Sequence, residues 1–289
     1  MNKEKSFTLI EILVVIVVIG ILSAFILVGI GSISENANIA KSKTFVNSLD
    51  NSLLLGRVGE WKMDEGSGTN LNNSWNTHVG TLTNFNFDTT DGWRTSNQCV
   101  SNSCLEFDGT NDYINLGTAF GNLGLNDFTV SLWFKIPKDA SYRALLSKGI
   151  YNASDFLLYK INTNDVRIYC DAGTILIIDN SWSENKWNNV VITREGAIAK
   201  MYMNGKYVNQ DTTSAVDLTN SHNWNIGASE DGTQRFIDGF IDEVRVYNQA
   251  MPSSKIKENY FIGLNNLLFS RGIDSGEYSA RIKYNLTEQ

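Results

Sequence analysis

Residues 7–30, FTLIEILVVIVVIGILSAFILVGI, form an almost unbroken apolar run. About 20 such residues in a helix, rising 1.5 Å each, span the hydrocarbon core of a bilayer. The run is too long for the apolar part of a secretory signal, and no small-residue cleavage pattern follows it. The preceding MNKEKS carries Lys3 and Lys5, charges that hold the N-terminus on the cytoplasmic side and send the rest outward. One residue is out of place. Glu11 sets a carboxylate near the start of the run, where a charge costs roughly 2.5–3.5 kcal/mol at the membrane midplane and less towards the interface. An acid in such a segment needs a partner.

Small and apolar residues continue at helical spacing through Ile33, Ala37, Ala40, Phe45, Leu49 and Ser52. The pattern predicts one long helix from Phe7 to Leu55, weakened at Gly29 and Gly31 and ended near Gly56. Its length would be roughly 70 Å, far more than a bilayer needs.

From Glu60 the texture changes. FTVSLWFKI (128–136), DFLLYKI (155–161), VRIYC (166–170), TILIID (174–179), NNVVITRE (188–195), AKMYMNGKYVNQ (199–210), NWNIGAS (223–229) and GFIDEVRVYNQ (239–249) are of strand length. Each is rich in β-branched and aromatic residues and bounded by Gly, Asn, Asp or Ser. Asn204-Gly205 marks a hairpin, because a type I′ turn wants positive φ at both central positions. Many short strands without helical crossovers predict an antiparallel sandwich or jelly roll. After it, Ile256, Tyr260, Leu264, Leu267 and Leu268 form one helical stripe. Gly272 breaks it before a second short helix with Tyr278, Ile282 and Leu286. The stripe predicts packing against the N-terminal helix or the strand domain.

The formal net charge of −7 argues against a nucleic-acid surface, which needs clustered Lys and Arg. Cys99 and Cys104 are expected to pair if the body lies outside the cytoplasm, or else to stand as two free thiols. Cys170, within an apolar strand, is expected to be an inert core thiol. There is no C-x-x-C and no G-x-S-x-G, and the histidines are His78 and His222, so metal-cluster and nucleophilic machinery are not expected.

The stretch KSFTLIEILVVIVVIGILSAF resembles the N-terminus of type IV pilins and pseudopilins. The resemblance implies that prepilin peptidase cuts between Ser6 and Phe7 and that the new amino group of Phe7 is methylated. Glu11 then becomes the fifth mature residue. The family usually carries Gly before the cut, and here Ser6 stands there. In this reading Glu11 of one subunit pairs with the Phe7 amine of a neighbour, which favours the assembled register. The implied partners are other pilin subunits, prepilin peptidase and, before assembly, membrane lipid. The implied location is a single pass through the cytoplasmic membrane with an extracytoplasmic body, then a pilus or the cell surface.

EWKMDEGSGTNLNN (60–73), GTLTN (80–84), LEFDGTNDYINLG (105–117), FTVSLWFKI, KWNNVVITREGAIAKMYMNGKYV (186–208) and GFIDEVRVYNQAM (239–251) resemble, in order and spacing, the laminin-G-like, concanavalin-type jelly roll. Members of that superfamily bind carbohydrates or proteins, often with a calcium ion. The resemblance implies a calcium site joining Asp242 to the early loop, where Asn72 and Asn73 stand in place of the usual Asp. The alternative is a buried Asp242 that accepts hydrogen bonds. Trp133, Trp187 and Tyr202 read as core. Trp75, Trp93, Trp182 and Trp224 sit in polar loops, where they can stack on sugar rings or cap the ends of the sandwich. Ideal alternation would place Asp242, Val244 and Val246 on one face and Glu243, Arg245 and Tyr247 on the other. That differs from the alternating acids of related hydrolases, so catalysis is not expected.

The expected organisation is a leader (1–6), an assembly helix (7–55), a jelly roll (56–251) and a C-terminal helical segment (252–289). The fold class is mainly β. The expected function is a surface-filament subunit that displays the jelly roll for adhesion or for carbohydrate or protein binding. The alternatives are a pseudopilin of a type II secretion or DNA-uptake system, or a membrane-anchored glycan-active enzyme.

Overall fold

A computed structural model describes residues 9–10, 12–20, 56–95, 97–118, 121–149, 155–161, 165–170, 174–179, 182–211, 217–229 and 231–269. The chain divides into two compact units, Met1–Leu54 and Leu55–Gln289. In the first, residues 12–20 are helical and expose the apolar side chains Ile12–Ile19. Ser6, Phe7, Glu11 and the predicted helix over 21–55 lie outside the described residues, as do the side chain of Cys170 and the predicted helix after Gly272. Among the described residues no helix is long and apolar enough to cross a membrane.

In the second unit the alternating runs become strands. They are β1 (Arg57–Trp61), β2 (Asn70–Asn72), β3 (Val79–Thr83), β4 (Gly92–Thr95), β5 (Ser103–Asp108), β6 (Tyr113–Gly117), β7 (Phe128–Lys135) and β8 (Arg143–Lys148). There follow β9 (Phe156–Ile161), β10 (Asp165–Cys170), β11 (Thr174–Asp179), β12 (Asn188–Glu195), β13 (Ile198–Met203), β14 (Lys206–Asp211), β15 (Trp224–Ile226) and β16 (Asp238–Tyr247). One sheet runs β14-β13-β12-β7-β16-β5-β4, with β1 also paired to β16; the other runs β11-β10-β9-β8-β15-β6-β3-β2. The pairings are antiparallel. The Asn204-Gly205 hairpin forms as expected, with φ of 53° and 73°, between β13 and β14.

Period-two patterning explains the core. Phe128, Val130, Leu132 and Phe134 of β7, and Val190 and Ile192 of β12, face inward. They meet Ile114 and Leu116 of β6, Leu146 of β8, and Phe156 and Leu158 of β9 from the other sheet. β8 was not among the predicted strands. Its charges at either end, Arg143 and Lys148, are both buried, so the segment RALLSK does not read as a strand from its composition.

Helix α1 (Ser253–Phe269) packs on the outer face of the first sheet. Tyr260, Leu264 and Leu267 join Trp133, Trp187, Phe240, Cys99, Val100 and Cys104 in a second apolar cluster. Trp133 and Trp187 are therefore buried, as expected, but beneath this helix rather than between the sheets. Cys99 and Cys104 form a disulfide inside the cluster.

Candidate functional site

The two ends of β6 separate two groups of loops. Beyond Gly117 lies a pocket of about 620 Å³ lined by Thr118, Asn122, Lys148, Thr219, Asn220 and Ser221. Three segments build it: the turn after β6, the end of β8, and the loop before β15. Thr118, Asn122, Thr219 and Ser221 form an exposed rim, and Lys148 is a buried floor. The Lys148 ammonium donates to Asn220 Oδ1 (2.6 Å), Asn220 O (2.7 Å) and His222 O (3.0 Å). Burial pulls its pKa down to about 8 against the opposing field of Asp155 and Asp231. Asn220 N donates to Asn122 Oδ1 at 3.1 Å, which ties two of the loops together. His222 Nδ1 lies 2.8 Å from Asp231 Oδ2, bracing the same loop from behind. The lining is amide and hydroxyl, groups that both donate and accept hydrogen bonds.

The four loop tryptophans divide. Trp224 is wholly buried, packs on Phe156 at 5.4 Å and donates through Nε1 to Gly121 O at 3.0 Å. It fixes the β6–β7 turn that carries Asn122. Trp182 is also in the core, stacked edge-on to Phe134 with the Lys138 ammonium 4.9 Å from its ring. Neither ring can stack on a sugar, which corrects the expectation for these two. Trp75 and Trp93 are half-buried. Trp75 is flanked by Tyr247 at 5.0 Å and by the Arg57 guanidinium at 4.8 Å. Trp93 donates through Nε1 to Gly68 O at 2.8 Å.

β16 departs from ideal alternation. Asp242 faces Trp133 and Arg245 faces Ser131, so one extra residue enters β16 at this point. Glu243 takes a φ of 52° to accommodate it. Ile241, Val244 and Val246 consequently share the core face, and Asp242 turns to the other side. The expectation that Asp242 lies with Val244 and Val246 is corrected. Asp242 Oδ2 accepts from Val100 N (2.9 Å) and Ser101 N (3.3 Å). Complete burial and the neighbouring Glu243 push its pKa well above the carboxylate range, despite those bonds. Glu243 and Glu60 are both engaged by the Arg245 guanidinium.

The donor set Asp242, Asn72 and Asn73 does not fit a calcium ion. Asn73 Oδ1 accepts from Glu60 N (3.2 Å) and Trp75 N (2.9 Å), which occupies both lone pairs of an amide oxygen. Asn72, next to it, is exposed and is held through its own N–H by Glu65 Oε1 at 2.7 Å. Asp242 serves the 99–101 loop through Oδ2 alone, and its Oδ1 is buried with no hydrogen-bond partner among the described residues.

Residues 108–257 of the 289 match the concanavalin A-like lectin/glucanases superfamily. The chain belongs to this superfamily. Residues 1–27 match the prokaryotic N-terminal methylation motif, so the lectin-like body follows a type IV pilin signal. The lectin-like chain is 28% identical over 147 residues to adhesion G-protein coupled receptor V1 of Danio rerio, covering 46% of this chain and 2% of the receptor. Domain 4 of AbnA, a GH43 extracellular arabinanase from Geobacillus stearothermophilus in complex with arabinotriose, superposes with a TM-score of 0.54. It is 17% identical, over 70% of this chain and 97% of that one. The botulinum neurotoxin serotype D binding domain gives 0.55 at 17% identity, over 73% and 52%. Trypanosoma rangeli sialidase in complex with sialic acid gives 0.54 at 17%, over 71% and 33%. The lectin-like chain thus spans about half the length of the neurotoxin binding domains it matches, and these structural likenesses show the fold.

Sequence reasoning missed two features of this lectin-like unit. The pocket draws ordinary polar residues from three separate loops, and no spacing announces it. At the other end of β6, Asp91, Asp108 and Asp112 converge, each offering an oxygen within 4.8 Å of the others. Burial pushes Asp112 up to about 7.

Proposed function

We propose that the chain is a type IV pilin-like subunit that is anchored, then assembled, through its N-terminal segment and carries a carbohydrate-binding jelly roll. The observation that carries this reading is the fusion of a methylation motif over residues 1–27 with a superfamily match over 108–257. The polar pocket at Thr118, Asn122, Thr219, Asn220 and Ser221 is the proposed saccharide site. Its amides and hydroxyls suit the mixed donor and acceptor hydroxyls of a sugar, and the likeness to a domain that holds arabinotriose supports that ligand class. The buried Lys148 holds the loop in shape. No catalytic role is assigned: Glu60 and Glu243 are tied to Arg245, and Asp242 is sealed from solvent.

Two measurements test the reading. Mass spectrometry of the protein from membranes should show methylated Phe7 at the N-terminus; an intact Met1 would overturn the filament reading. A glycan array with the detergent-solubilised chain should give saccharide signals that vanish in an Asn122→Ala/Ser221→Ala variant. Signals indifferent to that variant would move the binding site elsewhere.

A further inference from the structure

We infer that one proton, held between the carboxyl groups of Asp112 and Asp108, is a structural part of the β5–β6 turn, and that its loss on raising the pH loosens that end of the jelly roll. Asp108 ends β5, Asp112 precedes β6, and Asp91 stands immediately before β4. Their oxygens lie within 4.8 Å of one another. Asp91 and Asp112 are wholly buried, and Asp108 is partly so.

The hydrogen bonds decide which carboxyl takes the proton. Asp91 Oδ1 accepts from Phe87 N (2.6 Å) and Asn86 N (3.0 Å), and its Oδ2 from Asn86 N (2.8 Å) and Asn86 Nδ2 (3.1 Å). Donors occupy both oxygens, so Asp91 adds a like charge beside Asp112 and gives it no hydrogen bond. Asp108 Oδ1 accepts from Thr110 N at 2.7 Å. Asp112 Oδ2 accepts from Asp108 N at 3.0 Å, while its Oδ1 is buried without a hydrogen-bond partner. An ionised carboxylate can only accept, and a buried acceptor left unmatched is costly. Protonation turns Oδ1 into a donor, and the Asp108 side chain is within its reach. A charge-assisted O–H···O bond then replaces the repulsion between two carboxylates.

No cation bonds this oxygen among the described residues. Arg94 of β4 gives Nε to Glu106 of β5 and Nη1 to the main-chain carbonyls of Asp88 and Asp91. Asp238 of β16, opposite Asp108 in the sheet, is paired with Arg143 of β8. β3 carries no charged side chain, and β6 only the phenol of Tyr113. Burial, aided by the charges of Asp108 and Asp91, pushes the Asp112 carboxyl up to about 7. In an unfolded chain an Asp titrates near 4. A folded value above the unfolded one gives stability that is complete below about pH 4 and is lost as pH rises through about 7. Three carboxylates then face one another beside the turn whose Asn111 carbonyl holds Asn84 Nδ2.

The test compares the full chain in detergent with its Asp112→Asn variant by urea denaturation from about pH 5 to 9, the span on either side of the transition. A chelator is present, so that no bound cation stands in for the proton. The substituted amide keeps an acceptor for Asp108 N and a permanent donor for the Asp108 carboxyl, so it copies the protonated state at every pH. We expect the ratio of unfolding constants, wild type over variant, to rise by up to about tenfold per pH unit between about pH 5 and 7 and to level off above that. Infrared spectra should show a protonated-carboxyl band that fades as pH passes about 7 and that Asp112→Asn removes. Should Asp112→Asn fail to fold, Asp108→Asn gives Asp112 an N–H donor in place of the proton, and the midpoint of the band should fall by about one pH unit or more. A stability ratio that stays constant across this range, or a band unchanged by the substitution, would overturn the inference. Neither result bears on the glycan array, so the two proposals fail separately.

Discussion

Tyr260 of α1 stacks on Trp133 of β7, ring centroids 5.5 Å apart and planes 13° from parallel. Gly263, one turn on, lies against the same indole, where an added Cβ would come within 2.5 Å of the ring. The helix is thus seated on the sheet by one aromatic pair and one missing side chain. Tyr260→Ala should lower unfolding free energy by about 2 kcal/mol, since a half-buried aromatic loses both area and ring contact. Gly263→Leu should cost more, because the indole must move. Urea denaturation followed by tryptophan fluorescence measures both.

The Cys99–Cys104 disulfide closes a short loop whose Val100 and Ser101 N–H groups hold Asp242. Its contribution for so small a loop is about 2 kcal/mol by the chain-entropy estimate. Reduction should lower Tm, and a Cys99→Ser/Cys104→Ser variant should show the lowered Tm with or without reductant. An unchanged Tm in the variant would mean that loop packing alone holds Asp242.

Asp139 binds two cations, Arg143 at 2.5 Å and the fully buried Lys160 ammonium. Burial alone would raise the Asp139 carboxyl, but those hydrogen bonds outweigh it and hold it well below the usual carboxylate range. A depressed folded pKa gives stability that is complete above the unfolded value near 4 and is lost as pH falls below it. Stability attributable to Asp139 should therefore be flat from pH 7 to about 5 and decline towards pH 2. Asp139→Asn should flatten that acid limb and lower stability at neutral pH by about 1–3 kcal/mol, because Lys160 keeps its charge and loses its carboxylate. Chemical denaturation at several pH values gives both readings.

Glu11 lies outside the described residues, but its place in the methylation motif makes a prediction. Glu11→Val should insert into the membrane as before, since it removes a charge from the apolar run. Filament recovered by shearing should fall sharply for the variant. Equal filament yield would sink the pairing of Glu11 with the Phe7 amine.

These expectations differ in how far the sequence alone supports them. The strands around Leu132 and Ile192 are legible because half-buried sheets impose a period of two on their residues. The Asn204-Gly205 turn is legible because so few dipeptides tolerate positive φ twice. β8 is not, because Arg143 and Lys148 are buried at its ends, Lys148 held by Asn220 and His222 far along the chain and Arg143 by Asp139 nearby and the distant Asp238. The bulge at Glu243 is also silent: nothing in FIDEVRVY says that one residue is surplus until β7 sets the register. Trp182 and Trp224 read as loop residues because their neighbours are polar, yet the chain turns both rings inward. Asp91, Asp108 and Asp112 are distant or unremarkable in sequence, and it takes both the pairing of β4 with β5 and the β5–β6 turn to bring them together.

Helix α1 also decides where the lectin-like unit can be cut. A fragment stopping at Met251 would keep every strand but lay Trp133, Trp187 and Phe240 open to water as one contiguous aromatic patch. Apolar patches of that kind drive self-association. Such a fragment should aggregate although its sheets are intact, whereas one extended through Phe269 should stay dispersed. The last turn of this jelly roll is a helix, and solubility, more than strand count, marks its true edge.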